Sequence, residues 1–214
     1  MNIFPVKICG ITRTQDAELA VELGALAIGF IFYRNSPRYI APETAQHITE
    51  NIGSCAAKVG VFVDDSINEV NTIAEAVGLD YVQLHGDESP AYCKEIIRPV
   101  IKAFRVTKKL TEEEILKYDA GAILFDAFVK GAPGGTGQTF RWEILQRFAL
   151  EAPIILAGGL TSANVKAAIE SVHPSAIDVS SGVEKSPGIK DREKMEQLFS
   201  TVKEVKEVTK NAIF

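Results

Sequence analysis

The chain has 214 residues, 46% of them hydrophobic and 24% charged, enough for one large domain with a sizeable core. A formal net charge of -5 and a pI near 5.3 give no electrostatic footprint for nucleic acid or an anionic membrane. No stretch approaches the roughly 18 apolar residues of a membrane span, and Met1–Pro5 lacks the basic region and apolar core of a signal peptide, so a cytoplasmic location is expected. The three cysteines, Cys9, Cys55 and Cys93, are too scattered to imply a disulfide framework or a zinc site; any special one would act as a nucleophile or a base.

The first predicted strand is centred on Ile8 and leaves through Gly10-Ile11-Thr12. From there, short runs rich in Val, Ile, Phe and Leu recur about every 20 to 30 residues, each followed by helical periodicity. Further strands are centred on Phe30, Val61, Val82, Ala103, Leu124, Ile155 and Ile177. Val59–Val63 and Pro153–Ala157 are apolar on both faces, as befits parallel strands buried on two sides. Between them, Pro42 and Pro90 suit a first helical position, the latter behind a Ser89 cap. Ser66 with Glu69, and Thr111 with Glu114, have the spacing of a capping box. Ile67, Val70, Ile73, Ala74 and Val77 trace one helical face. So do Met195, Leu198, Phe199, Val202 and Val205, behind an Asp191 cap. From about Lys206 onward the pattern is lost and fraying is expected.

Strict alternation of strand and helix leaves an open doubly wound sheet or a closed (β/α)8 TIM barrel. The count and even spacing favour the barrel, a parallel closed sheet spanning 1–214 as a single domain. No strand is followed by the Gly-x-Gly-x-x-Gly turn of a dinucleotide fold. In such a barrel the site lies where strands end, and alternation along each strand turns Lys7, Cys9, Gln83, His85, Asp126 and Asp178 inward. Each alone has a bland reading: Cys9 as packing, Asp126 as a helix cap, His85 as a turn residue. Their shared inward phase at different exits argues for a site. His47 and His173 belong to surface and loop.

Two glycine-rich exits, Leu156–Thr161 with Gly158 and Gly159, and Val179–Glu184 with Ser181 and Gly182, follow the seventh and eighth strands. Backbone amides there can cradle a phosphate, so a small phosphorylated substrate is expected. A third run, Gly131–Phe140, is long enough to form a loop over the mouth.

The stretches Val6–Thr12, Ser36–Tyr39, Val82–Gly86, Gly134–Gly137 with Thr139 and Phe140, Leu156–Leu160 and Asp178–Glu184 resemble those of the phosphoribosylanthranilate isomerases, in the family's order and over almost the whole chain. The resemblance implies a single barrel without cofactor or metal. It implies an Amadori rearrangement of N-(5-phosphoribosyl)anthranilate in tryptophan biosynthesis, with Cys9 as general base, Asp126 as general acid and Arg38 on the anthranilate carboxylate. Phosphate would sit on the Gly158-Gly159 and Ser181-Gly182 exits. His85 and Asp178 are expected as substrate or site-shaping contacts, and Lys7, two residues from Cys9, is expected to favour a thiolate. Arg34 is a rival for Arg38. The pattern leaves monomer or homodimer open. An indole-glycerol-phosphate synthase type would require an inward lysine acid with glutamate partners. A non-catalytic phosphate-binding barrel would keep the glycines without needing Cys9 or Asp126.

Overall fold

A computed structural model describes residues 4–126, 142–205 and 213–214. The strands are β1 (Val6–Cys9), β2 (Ala27–Ile31), β3 (Ala57–Phe62), β4 (Tyr81–Leu84), β5 (Val100–Arg105), β6 (Ala122–Asp126), β7 (Ile154–Ala157) and β8 (Ala176–Val179). They pair in sequence order, all parallel, and β8 closes on β1 through Val6 opposite Ile177 and Lys7 opposite Asp178. The fold is therefore the expected (β/α)8 barrel, with each predicted strand centre inside a strand. Among the described residues, no helix is long and apolar enough to cross a membrane.

The helices are α1 (Thr14–Leu23), α2 (Pro42–Ile52), α3 (Ile67–Val77), α4 (Pro90–Lys94), α5 (Glu112–Leu116), α6 (Val165–Val172) and α7 (Arg192–Lys203). Their starts follow local chemistry. Thr111 and Glu114 form the reciprocal capping box of α5, whereas Ser66 accepts from Glu69 N at 3.2 Å without the return bond. Ser89 caps α4 ahead of Pro90, and Asp191 caps α7. Helix α4 ends early, at Lys94, and Pro99 ahead of β5 biases Arg98 away from helical backbone. Two units depart from simple alternation. The described residues after β6 hold a 3-10 turn, Trp142–Arg147, in place of an α-helix, and a small hairpin, β9 (Glu184–Ser186) with β10 (Ile189–Lys190), stands between β8 and α7.

Strand parity creates two cores. Outward residues such as Val6, Ile8, Phe30, Phe62 and Phe125 meet the helices. Inward residues fill the barrel with small and branched side chains, among them Ala27, Val59, Ile101, Leu124, Ile155 and Ala176. The lower end of that inner core is completed by the carboxyl terminus. Ile213 is buried, its carbonyl accepts from Tyr81 Oη at 2.7 Å, and Phe214 lies edge-on to the Tyr81 ring at 5.8 Å. Fraying was expected of this tail; residues 206–212 lie outside the described residues, but its last two are anchored.

Candidate active site

The upper end of the barrel interior is polar, and β1 sets its character. Lys7 and Cys9 point inward and are buried, opposite Ala27 and Gly29 of β2 respectively. A Cβ on Gly29 would meet Cys9 Sγ at 2.8 Å and Lys7 Nζ at 3.1 Å, so only glycine leaves room for both side chains. Lys7 Nζ donates to Asp178 Oδ2 at 2.8 Å and to Gln83 Oε1 at 2.9 Å. Burial opposes its charge, but Asp178 and then Cys9 outweigh burial and hold the ammonium above its ordinary value.

Cys9 departs from expectation. Burial, then the Asp178 charge, push its thiol above 9.0, and the opposing pull of Lys7 and Lys190 is smaller. Lys7 does act in the expected direction, but its charge is already committed to Asp178, so the resting residue is a thiol. Sequence spacing showed the cation and not its partner.

Across the mouth, Gln83 Nε2 lies 3.1 Å from His85 Nδ1, and His85 Nε2 lies 3.5 Å from Asp126 Oδ2 at the end of β6. The exit of β4 that carries His85 is stapled from outside the barrel. Buried Lys102 on β5 donates to Glu88 Oε2 and to the Gly86 carbonyl, each at 2.7 Å, while Glu88 accepts from Gly86 N at 3.0 Å. Asp126, His85, Gln83, Lys7 and Asp178 thus form one line of polar groups from β6 to β8. The Gly131–Phe140 loop lies outside the described residues, so it enters no part of this geometry.

Arg38, ahead of α2, also reaches the mouth, where it contributes a charge beside Cys9. Its Nε donates to Glu184 Oε1 at 2.8 Å and its Nη2 to Oε2 at 2.6 Å, a side-on fork that leaves the other guanidinium edge for a ligand carboxylate. These bonds hold Arg38 above its ordinary value, and they keep Glu184 below 4.5 against its burial, with help from Lys190. Lys190 Nζ donates to Cys9 O at 2.6 Å and to Glu184 Oε1 at 3.1 Å. A Cβ on Gly10 would meet Arg38 Cδ at 2.8 Å, so the glycine after Cys9 lets Arg38 lie over the exit of β1. The rival, Arg34, is exposed and sits over the Tyr39 ring at 5.9 Å.

The glycine exits of β7 and β8 abut. Gly158 and Gly159 have φ of 93° and 66°, and a Cβ on Gly182 would strike the Leu160 carbonyl, so the loop after β7 packs directly on the Ser181–Val183 turn. Beside this junction, Asp178 Oδ1 and Ser180 Oγ are buried without a hydrogen-bond partner among the described residues. Such buried orphans at a strand exit mark a place for a ligand, where Asp178 Oδ1 can accept from a hydroxyl and Ser180 Oγ can donate to an anionic oxygen.

The predicted residues Lys7, Cys9, Arg38, His85, Asp126 and Asp178, with the Gly158-Gly159 and Ser181-Gly182 turns, therefore all belong to the upper end of one barrel. Sequence reasoning gave no role to Glu184 and Lys190. Glu184 carried a weak signal as the last residue of the Asp178–Glu184 motif, and Lys190 carried none, because only the hairpin turn folds it back under Cys9. A buried thiol and a carboxyl at two strand exits, joined by polar groups and flanked by an arginine fork and paired glycine turns, can serve proton transfer on an anionic substrate without moving the scaffold. Fold and site together define a TIM-barrel protein whose polar upper mouth has the make-up of an enzyme site.

The particular family follows from comparison. The family model for N-(5'phosphoribosyl)anthranilate (PRA) isomerase matches residues 6–201. An N-(5'-phosphoribosyl)anthranilate isomerase of Geobacter sp. (strain M21) is 48% identical over 200 residues, covering 94% of this chain and 98% of that protein. The crystal structure of phosphoribosyl anthranilate isomerase from Thermus thermophilus is 39% identical with a TM-score of 0.84, covering 93% of this chain and 98% of the other. A further isomerase structure, in complex with reduced 1-(o-carboxyphenylamino)-1-deoxyribulose 5-phosphate, is 37% identical with a TM-score of 0.79, covering 94% and 99%. The chain belongs to the phosphoribosylanthranilate isomerase family and is an enzyme.

Proposed function

We propose that the chain catalyses the Amadori rearrangement of N-(5-phosphoribosyl)anthranilate to 1-(2-carboxyphenylamino)-1-deoxyribulose 5-phosphate in tryptophan biosynthesis, in the cytoplasm, with Asp126 as general acid and Cys9 as general base. The observation that carries this reading is the polar line from Asp178 through Lys7, Gln83 and His85 to Asp126, with the Cys9 thiol beside Lys7.

Ring opening needs a proton on the furanose oxygen while the anilino nitrogen pushes its electron pair toward an iminium. Asp126 supplies that proton. The hydrogen on carbon 2 must then leave, its electrons neutralising the iminium to give an enolamine. Cys9 takes it through its thiolate, the minor form at rest, which Lys7 and Lys190 favour but burial and Asp178 outweigh. The enolamine tautomerises to the ketone. Arg38, held by Glu184, offers its outer edge to the anthranilate carboxylate. The Gly158-Gly159 and Ser181-Gly182 turns receive the phosphate, and Asp178 Oδ1 accepts from a sugar hydroxyl. The relative crystallised with the reduced product analogue, which carries both a carboxyphenyl group and a 5-phosphate, supports a site with those two anchors.

The test is conversion of phosphoribosylanthranilate by the wild type, Cys9→Ala and Asp126→Asn, with chelator and without added cofactor. Each substitution should lower kcat by about 100-fold or more while leaving the circular dichroism spectrum unchanged. Near-normal turnover by either folded variant overturns that residue's role.

A further inference from the structure

The polar line across the mouth has a direction, because its members differ in what they can donate. Lys7 Nζ is a donor only, so the Gln83 atom 2.9 Å away must be the carbonyl oxygen. The other Gln83 terminus is then the amide nitrogen, again a donor only, and it faces His85 Nδ1 at 3.1 Å. Nδ1 must accept, which in the neutral ring puts the proton on Nε2, the nitrogen 3.5 Å from Asp126 Oδ2. Gln83 and Lys7 are both buried, and Lys7 is further locked by Asp178, so neither end of the amide is free to turn over. The Glu88–Lys102 staple fixes the backbone on which His85 sits.

We infer that Lys7 and Gln83 hold His85 as its Nε2–H tautomer, and that His85 is a positioning residue that donates to Asp126 Oδ2. The transferable proton of the acid is thereby left on Oδ1. This deepens the proposed function and rests on Asp126 being the acid. Lys7 becomes the common origin of both halves of the site: its charge acts on Cys9 beside it, and it orients Asp126 through two side chains. The 3.5 Å contact is long for a hydrogen bond, as catalytic contacts often are before substrate binds. A residue that only filled space at the mouth would need no particular tautomer.

The tautomer can be read by nitrogen-15 NMR of the histidine-labelled protein, which has three histidines, with His85 assigned by the signals lost in His85→Gln. The wild type should show a protonated Nε2 and a bare Nδ1 for His85. Gln83→Glu, of the same shape, offers Nδ1 an acceptor, so the proton should move there and kcat should fall about tenfold or more with KM within about twofold. His85→Ala should lose activity similarly, and His85→Gln, which keeps an amide N–H within reach of Asp126, should recover part of it. A wild-type His85 protonated on Nδ1, a tautomer shift in Gln83→Glu without loss of kcat, or a fully active His85→Ala each overturns the inference. An active Asp126→Asn enzyme with the stated wild-type tautomer would instead remove the acid assignment and the catalytic use of the line, while leaving the hydrogen-bond direction standing.

Discussion

At the scale of single residues, the site shows how a neighbour's partner decides what a charge can do. Lys7 lies beside Cys9, yet Asp178 has first claim on its charge, and the thiol rises above 9.0 because burial and Asp178 outweigh the two lysines. A raised thiol pKa means that the reactive thiolate is scarce at neutral pH and accumulates as pH climbs. Alkylation of Cys9 by iodoacetamide, read by mass spectrometry of its peptide, should therefore keep accelerating beyond pH 9.0 and slow when a substrate analogue is bound. A rate already level at neutral pH would contradict the assigned direction. Arg38 makes the complementary case. Its fork to Glu184 uses one edge and presents the other, a geometry that a lysine cannot reproduce. Arg38→Lys should raise KM about tenfold with kcat changed by less than about threefold, as steady-state kinetics would show.

At the scale of elements, the hairpin β9–β10 is the addition that completes the mouth. Glu184 holds it by receiving Arg38, Lys190 Nζ and, at 3.2 Å, Gly188 N. The carboxyl is kept below 4.5 although burial opposes this, so its contribution to stability is present above that value and is lost as pH falls through the lower folded-state value. Urea midpoints of the wild type should accordingly drop more steeply below pH 4.5 than those of Glu184→Gln, which has no such charge to lose. Parallel curves would place the acid sensitivity elsewhere. The elements themselves were largely readable. Thr111 and Glu114, Ser89 and Pro90, and Asp191 announce helix starts through bonds made within a few residues of sequence. The 3-10 turn at Trp142–Arg147 and the hairpin were not, since both depend on how the chain returns to the barrel.

At the scale of the whole molecule, the barrel has a polar upper end and an apolar lower end closed by Ile213 and Phe214. Removing these two residues exposes Tyr81 and the inner core, which should cost about 2 kcal/mol in a denaturant titration, while kcat and KM stay close to the wild-type values. A large loss of activity in a folded truncation would mean that the plug communicates with the mouth. The amino-acid sequence by itself determined the eightfold alternation, the inward phase of Lys7, Cys9, His85, Asp126 and Asp178, and the glycine turns, because periodicity and turn chemistry are local properties of the chain. Only the tertiary structure decided that Asp178 claims Lys7, that Glu184 and Lys190 fold back under Cys9 and Arg38, and that the tail seals the barrel. Those pairings join residues as far apart as Lys7 and Asp178, whose meeting depends on barrel closure and whose charges burial makes strongly interdependent.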